Sequence, residues 1–144
     1  MGHIGLTPQS TGQLGGFKAQ GRTADAAQVL IEDALAIEAA GAFALLVECV
    51  PPEVTRIIRD RLAIPVYSIG AGLEADGQLM ICSDLLGVFQ AFTPKFVRQY
   101  ARLGEAMRDA FAAYVDDVRG QRFPGEEHQY RMLEGELEKL RERL

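Results

Sequence analysis

The chain has 144 residues, 48% of them apolar and 24% charged, with a formal net charge of −5. This is the composition of one ordinary globular domain, and without a basic footprint it disfavours a nucleic-acid partner. No apolar run reaches the about 18 residues a membrane span requires, and the first residues lack the basic stretch and apolar core of a signal peptide. Met1-Gly2 opens a myristoylation pattern, but Leu6 stands where Ser or Thr is needed. Cys49 and Cys82 match no metal or redox spacing and lie in apolar runs, so buried thiols in a reducing cytoplasm are expected.

Met1 to Leu6 reads as a strand from its first residue, and Thr7-Pro8-Gln9 as a turn. Ser10 to Gly21 is a loop holding Gly12, Gly15, Gly16 and Gly21, with Lys18 among them. Such glycines let the backbone approach a ligand or another segment closely. They match neither a P-loop nor a dinucleotide fingerprint. Thr23 is placed to cap a helix running to Ala40, with Asp25 at the positive end of its dipole. Val29, Leu30, Ile31, Ala34, Leu35 and Ile37 give that helix a broad apolar face, and Gly41 ends it.

The next stretch, Phe43 to Pro52 (FALLVECVPP), reads as a buried parallel strand bounded by Gly41 and two prolines. Glu48 sits at its carboxyl end. A carboxylate there costs several kcal/mol, roughly, unless it is partnered or protonated. Either Glu48 caps or bridges to a neighbouring loop, or it does chemistry where barrel enzymes place it. Pro51-Pro52 starts a helix with Val54, Ile57, Ile58 and Leu62 at helical spacing, and with Arg56, Arg59, Asp60 and Arg61 solvated.

Ile64 to Ile69 is a third strand, followed by Gly70-Ala71-Gly72, which leaves room for a ligand or makes a tight turn. Asp76-Gly77 signals a turn, and Gln78 to Cys82 a fourth short strand. Ser83 or Asp84 can cap a short helix through Leu85-Leu86. From Pro94 a long helix is expected to about Val118, striped by Val97, Tyr100, Leu103, Met107, Phe111, Tyr114 and Val118 for core or subunit contact. Gly120 stops it and Phe123-Pro124-Gly125 turns the chain. Gln129 to Leu144 reads as an amphipathic helix whose Leu133, Leu137, Leu140 and Leu144 dock on this chain or a partner.

The order predicts an α/β fold: about four parallel strands with crossover helices, half of a TIM (β/α)8 barrel, plus C-terminal helices. Residues 1–92 are expected as the β/α units, 93–128 as a long helix and tail, and 129–144 as an extra amphipathic helix. A full barrel takes about 250 residues, so a front half is expected elsewhere.

Longer segments carry a resemblance. Gly2-His3-Ile4-Gly5-Leu6-Thr7-Pro8-Gln9, Leu14-Gly15-Gly16-Phe17-Lys18-Ala19-Gln20-Gly21 and Leu46-Val47-Glu48-Cys49-Val50-Pro51 resemble ketopantoate hydroxymethyltransferase. Ile69-Gly70-Ala71-Gly72, Asp84-Leu85-Leu86-Gly87, Pro94-Lys95-Phe96 and Phe123-Pro124-Gly125-Glu126-Glu127-His128 continue the match. The resemblance covers residues 2 to 130 and the second half of the family's chain.

It implies transfer of a one-carbon unit from methylenetetrahydrofolate to 3-methyl-2-oxobutanoate, giving 2-dehydropantoate in pantothenate synthesis. It places the family's proton acceptor on Glu48 and makes His3 a substrate-pocket candidate, with a structural histidine the alternative. It also implies Mg²⁺ as a Lewis acid, with ligands from the absent first half and none in this chain. Implied partners are the small 2-oxo acid and the folate, plus a homo-oligomer or a complementing N-terminal half. The competing expectation is a non-catalytic half-barrel that acts through self-association or a partner chain.

Overall fold

The computed structural model describes all 144 residues. They divide into two compact units, Met1–Ala101 and Arg102–Leu144.

The first unit is built on a four-stranded sheet in the order β1-β2-β3-β4: β1 (Gly2–Gly5), β2 (Leu45–Glu48), β3 (Val66–Ile69) and β4 (Gly77–Gln78). All pairings are parallel, with Gly5 opposite Glu48 and Glu48 opposite Ile69. Alternation assigns the two faces. Ile4, Leu45, Val47 and Val66 point one way and form one buried cluster with Ile31 and Ala34 of helix α2 (Ala24–Ala39) and Val54 and Ile58 of α3 (Pro52–Arg61). His3, Leu46, Glu48 and Tyr67 point the other way and are only half-buried. Both helices therefore cover one face, and the strands follow chain order without reversal. Consecutive strands of a barrel share this arrangement, whereas a doubly wound sheet reverses its order and covers both faces.

Local signals explain the elements. Thr23 caps α2 by accepting from the Ala26 N–H at 3.3 Å, and Gly41 leaves the helix at φ +90°. The apolar face of α2 is narrower than expected. Ala27, Leu30, Ile31, Ala34 and Ile37 keep the three-and-four spacing and pack on the sheet, while Val29 and Leu35 fall off that row and are exposed. On α3, Val54 and Ile58 are buried as expected; Ile57 is exposed and Thr55 takes the inner position. The Thr55 hydroxyl donates to the Pro51 carbonyl at 3.3 Å, so its burial leaves no orphan group.

Asp76 does more than turn the chain. Its carboxylate accepts from the Val66 N–H at 2.9 Å and from Arg59 at 3.1 Å, tying the start of β3 to α3. The Val66 N–H first, and Arg59 next, hold the Asp76 carboxyl below its ordinary range.

Several expectations are corrected. First, the fourth strand stops at Gln78, and Cys82 opens helix α4 (Cys82–Leu85) as an exposed thiol. Its partner strand ends at Ile69 and turns away at Gly70 (φ +67°), so after the Leu79 N–H donates to the Ser68 carbonyl there is nothing left to pair with. Neither Ser83 nor Asp84 caps α4; the N-cap position is Ile81. Cys49 is half-buried.

Second, Pro94 opens no long helix. Residues 94–102 are irregular, and the Tyr100 N–H donates to the Leu85 carbonyl at 2.8 Å. Third, the glycine-rich loop contains a short helix, α1 (Thr11–Leu14), closed by Gly15 in the left-handed region.

The second unit holds α5 (Leu103–Arg119) and α6 (Glu136–Arg141). α5 ends at Gly120 as expected. The last helix is much shorter than Gln129 to Leu144, because Gly135 takes φ +78° at its start and Leu133 lies before it. No residue of this unit is buried, and Leu103, Met107, Phe111, Tyr114 and Val118 form an exposed apolar stripe. That stripe was expected on a buried or contacting face; within the unit Phe123 packs edge-on to Tyr114 at 5.6 Å, and the stripe stays exposed.

Candidate active site

The carboxyl ends of the strands open onto a cavity of about 850 Å³ within the first unit. Loops after β1, β2, β3 and β4 supply its walls. Glu48, the last residue of β2, stands at its base with apolar Leu6, Val50 and Ile69 around it.

Parallel register brings Glu48 and His3 together. His3 lies opposite Leu46, so Glu48 is two residues further on along the same face. His3 Nε2 is 3.0 Å from Glu48 Oε2, and an ionised carboxylate only accepts, so the imidazole N–H donates. The side chains are 27% and 13% exposed respectively. Burial raises the Glu48 carboxyl above its ordinary value, while the attraction and hydrogen bond from His3 pull it down without cancelling the effect. Of the two readings left open for Glu48, the bridge to a loop does not occur; its partner is another strand's histidine, facing the open side of the sheet.

Backbone geometry fixes where the carboxylate points. Cys49 follows at φ +50°, a left-handed conformation uncommon for a residue with a side chain. Its N–H donates to the Ile69 carbonyl at 3.0 Å, and its carbonyl accepts from the Gln20 N–H at 2.9 Å. The strand end is thus clamped between β3 and the glycine-rich loop. The Cys49 thiol is pushed up by burial and by the neighbouring Glu48 charge, so it is a poor nucleophile. Gly5 (φ +87°) permits the crossing beside it, since a Cβ there would meet the Glu48 carbonyl oxygen and Val50.

The arrangement can hold a compact polar group against a partly dehydrated carboxylate and accept its proton. It does not make a magnesium site. Mg²⁺ takes near-octahedral oxygen ligands. Here one carboxylate sits beside one imidazole, and nowhere do three His, Cys, Asp or Glu side chains converge.

Several residues with evident chemistry were not assigned to a site from the sequence. Phe17, Arg22, Asp84, Phe92, Lys95 and Phe96 all line the cavity. Asp84 was expected as a cap, and its carboxylate has no hydrogen-bond or ion-pair partner in the chain. The signal that could have found them is their position in loops that follow strands, where barrel chemistry gathers.

A family model described as ketopantoate hydroxymethyltransferase matches residues 1–126. The chain is 62% identical over 142 residues to the 3-methyl-2-oxobutanoate hydroxymethyltransferase of Alkaliphilus metalliredigens, covering 97% of this chain and 50% of that protein. Proteins of the same name from Heliobacterium modesticaldum and Clostridium botulinum are 54% and 52% identical, over 92% and 97% of this chain and 48% and 51% of theirs. The chain spans about half the length of the curated relatives it matches. No helix is long and apolar enough to cross a membrane.

Proposed function

The chain belongs to the ketopantoate hydroxymethyltransferase family, and from that premise we propose that it supplies the proton-accepting end of a hydroxymethyl transfer from methylenetetrahydrofolate to 3-methyl-2-oxobutanoate. A C–H beside a carbonyl is a weak acid, so its base must lie within hydrogen-bond reach and be basic enough at working pH. Glu48 takes that proton onto its carboxylate. The carbon left with the electron pair bonds to the methylene carbon of the folate. One of that carbon's two bonds to folate nitrogen breaks as the carbon–carbon bond forms, water displaces the second nitrogen and supplies the hydroxyl, the proton held by Glu48 and the proton shed by water go to the two nitrogens, and 2-dehydropantoate and tetrahydrofolate leave.

One observation carries this reading: a mostly buried carboxylate at the end of β2, raised by burial and oriented by His3 at 3.0 Å, on the uncovered face of the sheet. His3 is a positioning residue that keeps one Glu48 oxygen directed and tempers its basicity. Mg²⁺, implied by the resemblance, has no ligand set among these residues, and no step above depends on it.

A second feature favours work in company. β1 and β4 leave free edges, and Leu46 and Tyr67 lie half-buried on a face no helix covers. Bare edges and apolar faces invite pairing. The chain therefore acts with further copies or with a polypeptide carrying the complementary half; the alternative is a non-catalytic subunit using the same surfaces.

Deuterium exchange at the substrate carbon next to the keto group tests the base directly. The chain, alone or with its complementing half, is expected to catalyse exchange, and Glu48→Gln to lower it about 10²–10⁴-fold. Exchange that survives the substitution removes Glu48 from the role. Absence of exchange with the complement present favours the non-catalytic subunit.

A further inference from the structure

We propose that Asp84 is the second base of the transfer: its carboxylate takes the proton from the water that becomes the product hydroxyl, while Glu48 takes the proton from the substrate carbon. The inference rests on the proposed reaction and divides its two proton transfers between two carboxylates of this chain.

The reaction itself asks for two. One proton leaves the substrate carbon, one leaves water, and two folate nitrogens receive them. Glu48 is neutral from the moment it takes the first proton until it delivers it, and in that interval it accepts no other. A second acceptor lets the water be activated without waiting. Few of the groups that this chain brings to the cavity can serve. Arg22 and Lys95 carry cations, which only donate. The Cys49 thiol is pushed up by burial and by Glu48, which keeps its proton in place. Asp84 is the remaining acceptor.

Its surroundings suit the role. Asp84 is half-buried, and its carboxylate has no hydrogen-bond or ion-pair partner, so both oxygens are free for water. The backbone around it is fixed. The Gly87 N–H donates to the Asp84 carbonyl at 3.1 Å, the Val88 N–H to Ser83 at 2.8 Å and the Tyr100 N–H to Leu85 at 2.8 Å. Glu48 differs in each respect: its side chain is 13% exposed and one oxygen is committed to His3. Two carboxylates in unlike surroundings can carry separate proton transfers in one site.

Spacing keeps the two apart. β2 ends in Glu48, the helix after β4 carries Asp84, and β3 lies between. Strands two places apart are about 10 Å apart. The end of β3 puts no polar side chain in that gap. Ile69 and Gly70 stand there, and a Cβ on Gly70 would lie 2.6 Å from the Phe96 ring. The two acids thus line one cavity across an apolar floor, with room for the reacting carbons and a water between them.

Two rates separate the roles. Deuterium exchange at the substrate carbon, without folate, reports the first proton alone. Formation of 2-dehydropantoate from the oxo acid and methylenetetrahydrofolate reports both. Each is measured on the full chain, with its complementing half where exchange requires it. Asp84→Asn is expected to keep exchange within about twofold of wild type and to lower product formation about 10²-fold. Asp84→Gly is expected to behave alike, and added formate, a small carboxylate that fits the space left, is expected to raise its product formation about tenfold with exchange unmoved.

The proposal is overturned if Asp84→Asn forms product at the wild-type rate, which would leave both protons to Glu48 in turn. It is overturned equally if Asp84→Asn loses exchange together with product, or if formate fails to restore product, since Asp84 would then be structural. A wild type that exchanges but forms no product also overturns it. Failure of the underlying reading shows differently: wild type would not exchange, or Glu48→Gln would.

Discussion

Helices α3 and α5 both repeat apolar residues at three and four, yet Ile58 of α3 is 1% exposed and Phe111 of α5 is 65% exposed. The difference lies in what each unit contains. In the first, three strands offer Ile4, Leu45, Val47 and Val66 as a continuous apolar surface, and α2 and α3 close over it. In the second, no sheet is present and no residue is buried. An amphipathic stripe reports a face that needs covering and does not say by what. The site follows the same division, since every group that lines its cavity belongs to the first unit.

Matched substitutions in the two helices break or sharpen this comparison most strongly. Ile58→Ala is expected to lower the unfolding free energy of the first unit by about 2–5 kcal/mol, the range for a truncated core residue. Phe111→Ser is expected to change stability by less than about 0.5 kcal/mol, as at other surface positions. It is also expected to lower the association state seen by sedimentation. Equal losses in denaturant unfolding would place Phe111 in a core that the second unit lacks, and an unchanged association state would free the stripe from subunit contact.

A smaller effect concerns Cys49, where the first unit stores backbone strain. Left-handed φ at a residue with a side chain costs of order 1–3 kcal/mol, most for β-branched residues. Cys49→Val is therefore expected to destabilise by about that much, and Cys49→Gly by less than about 1 kcal/mol. Thermal unfolding midpoints separate the two; equal losses would mean that the thiol matters more than the backbone.

The smallest effect is in pH. Burial raises the Glu48 carboxyl in the folded chain, so the fold resists its ionisation. Stability from this group is full below its ordinary value of 4.5 and is lost as pH rises through the higher folded value. Wild type is expected to lose slightly more stability than Glu48→Gln across that window, and parallel curves would contradict it.

Much of the first unit was legible because its signals are local and agree with one another. Gly41, the uncharged run from Phe43 to Val47 and the prolines at 51 and 52 bound β2 from both sides. Glu48 stood out as a charge at the end of that run, and the register then placed His3 beside it.

What escaped was decided by distant contacts. Val97 and Tyr100 continue the spacing of α5, but the Tyr100 N–H is taken by Leu85 and the segment never becomes helical. The run to Cys82 looks like a strand, yet its partner ends at Ile69. Asp84 reads as a cap because caps are local, whereas its place on the cavity wall depends on how four loops converge.

Titration of Glu48 by nuclear magnetic resonance, in wild type and in His3→Phe, tests most directly whether this carboxylate is held partly dry and tempered by its histidine neighbour. The account predicts a wild-type midpoint above 4.5, and a further rise when the hydrogen bond and attraction of His3 are removed. A midpoint at or below that value, or one that does not respond to loss of His3, would contradict it.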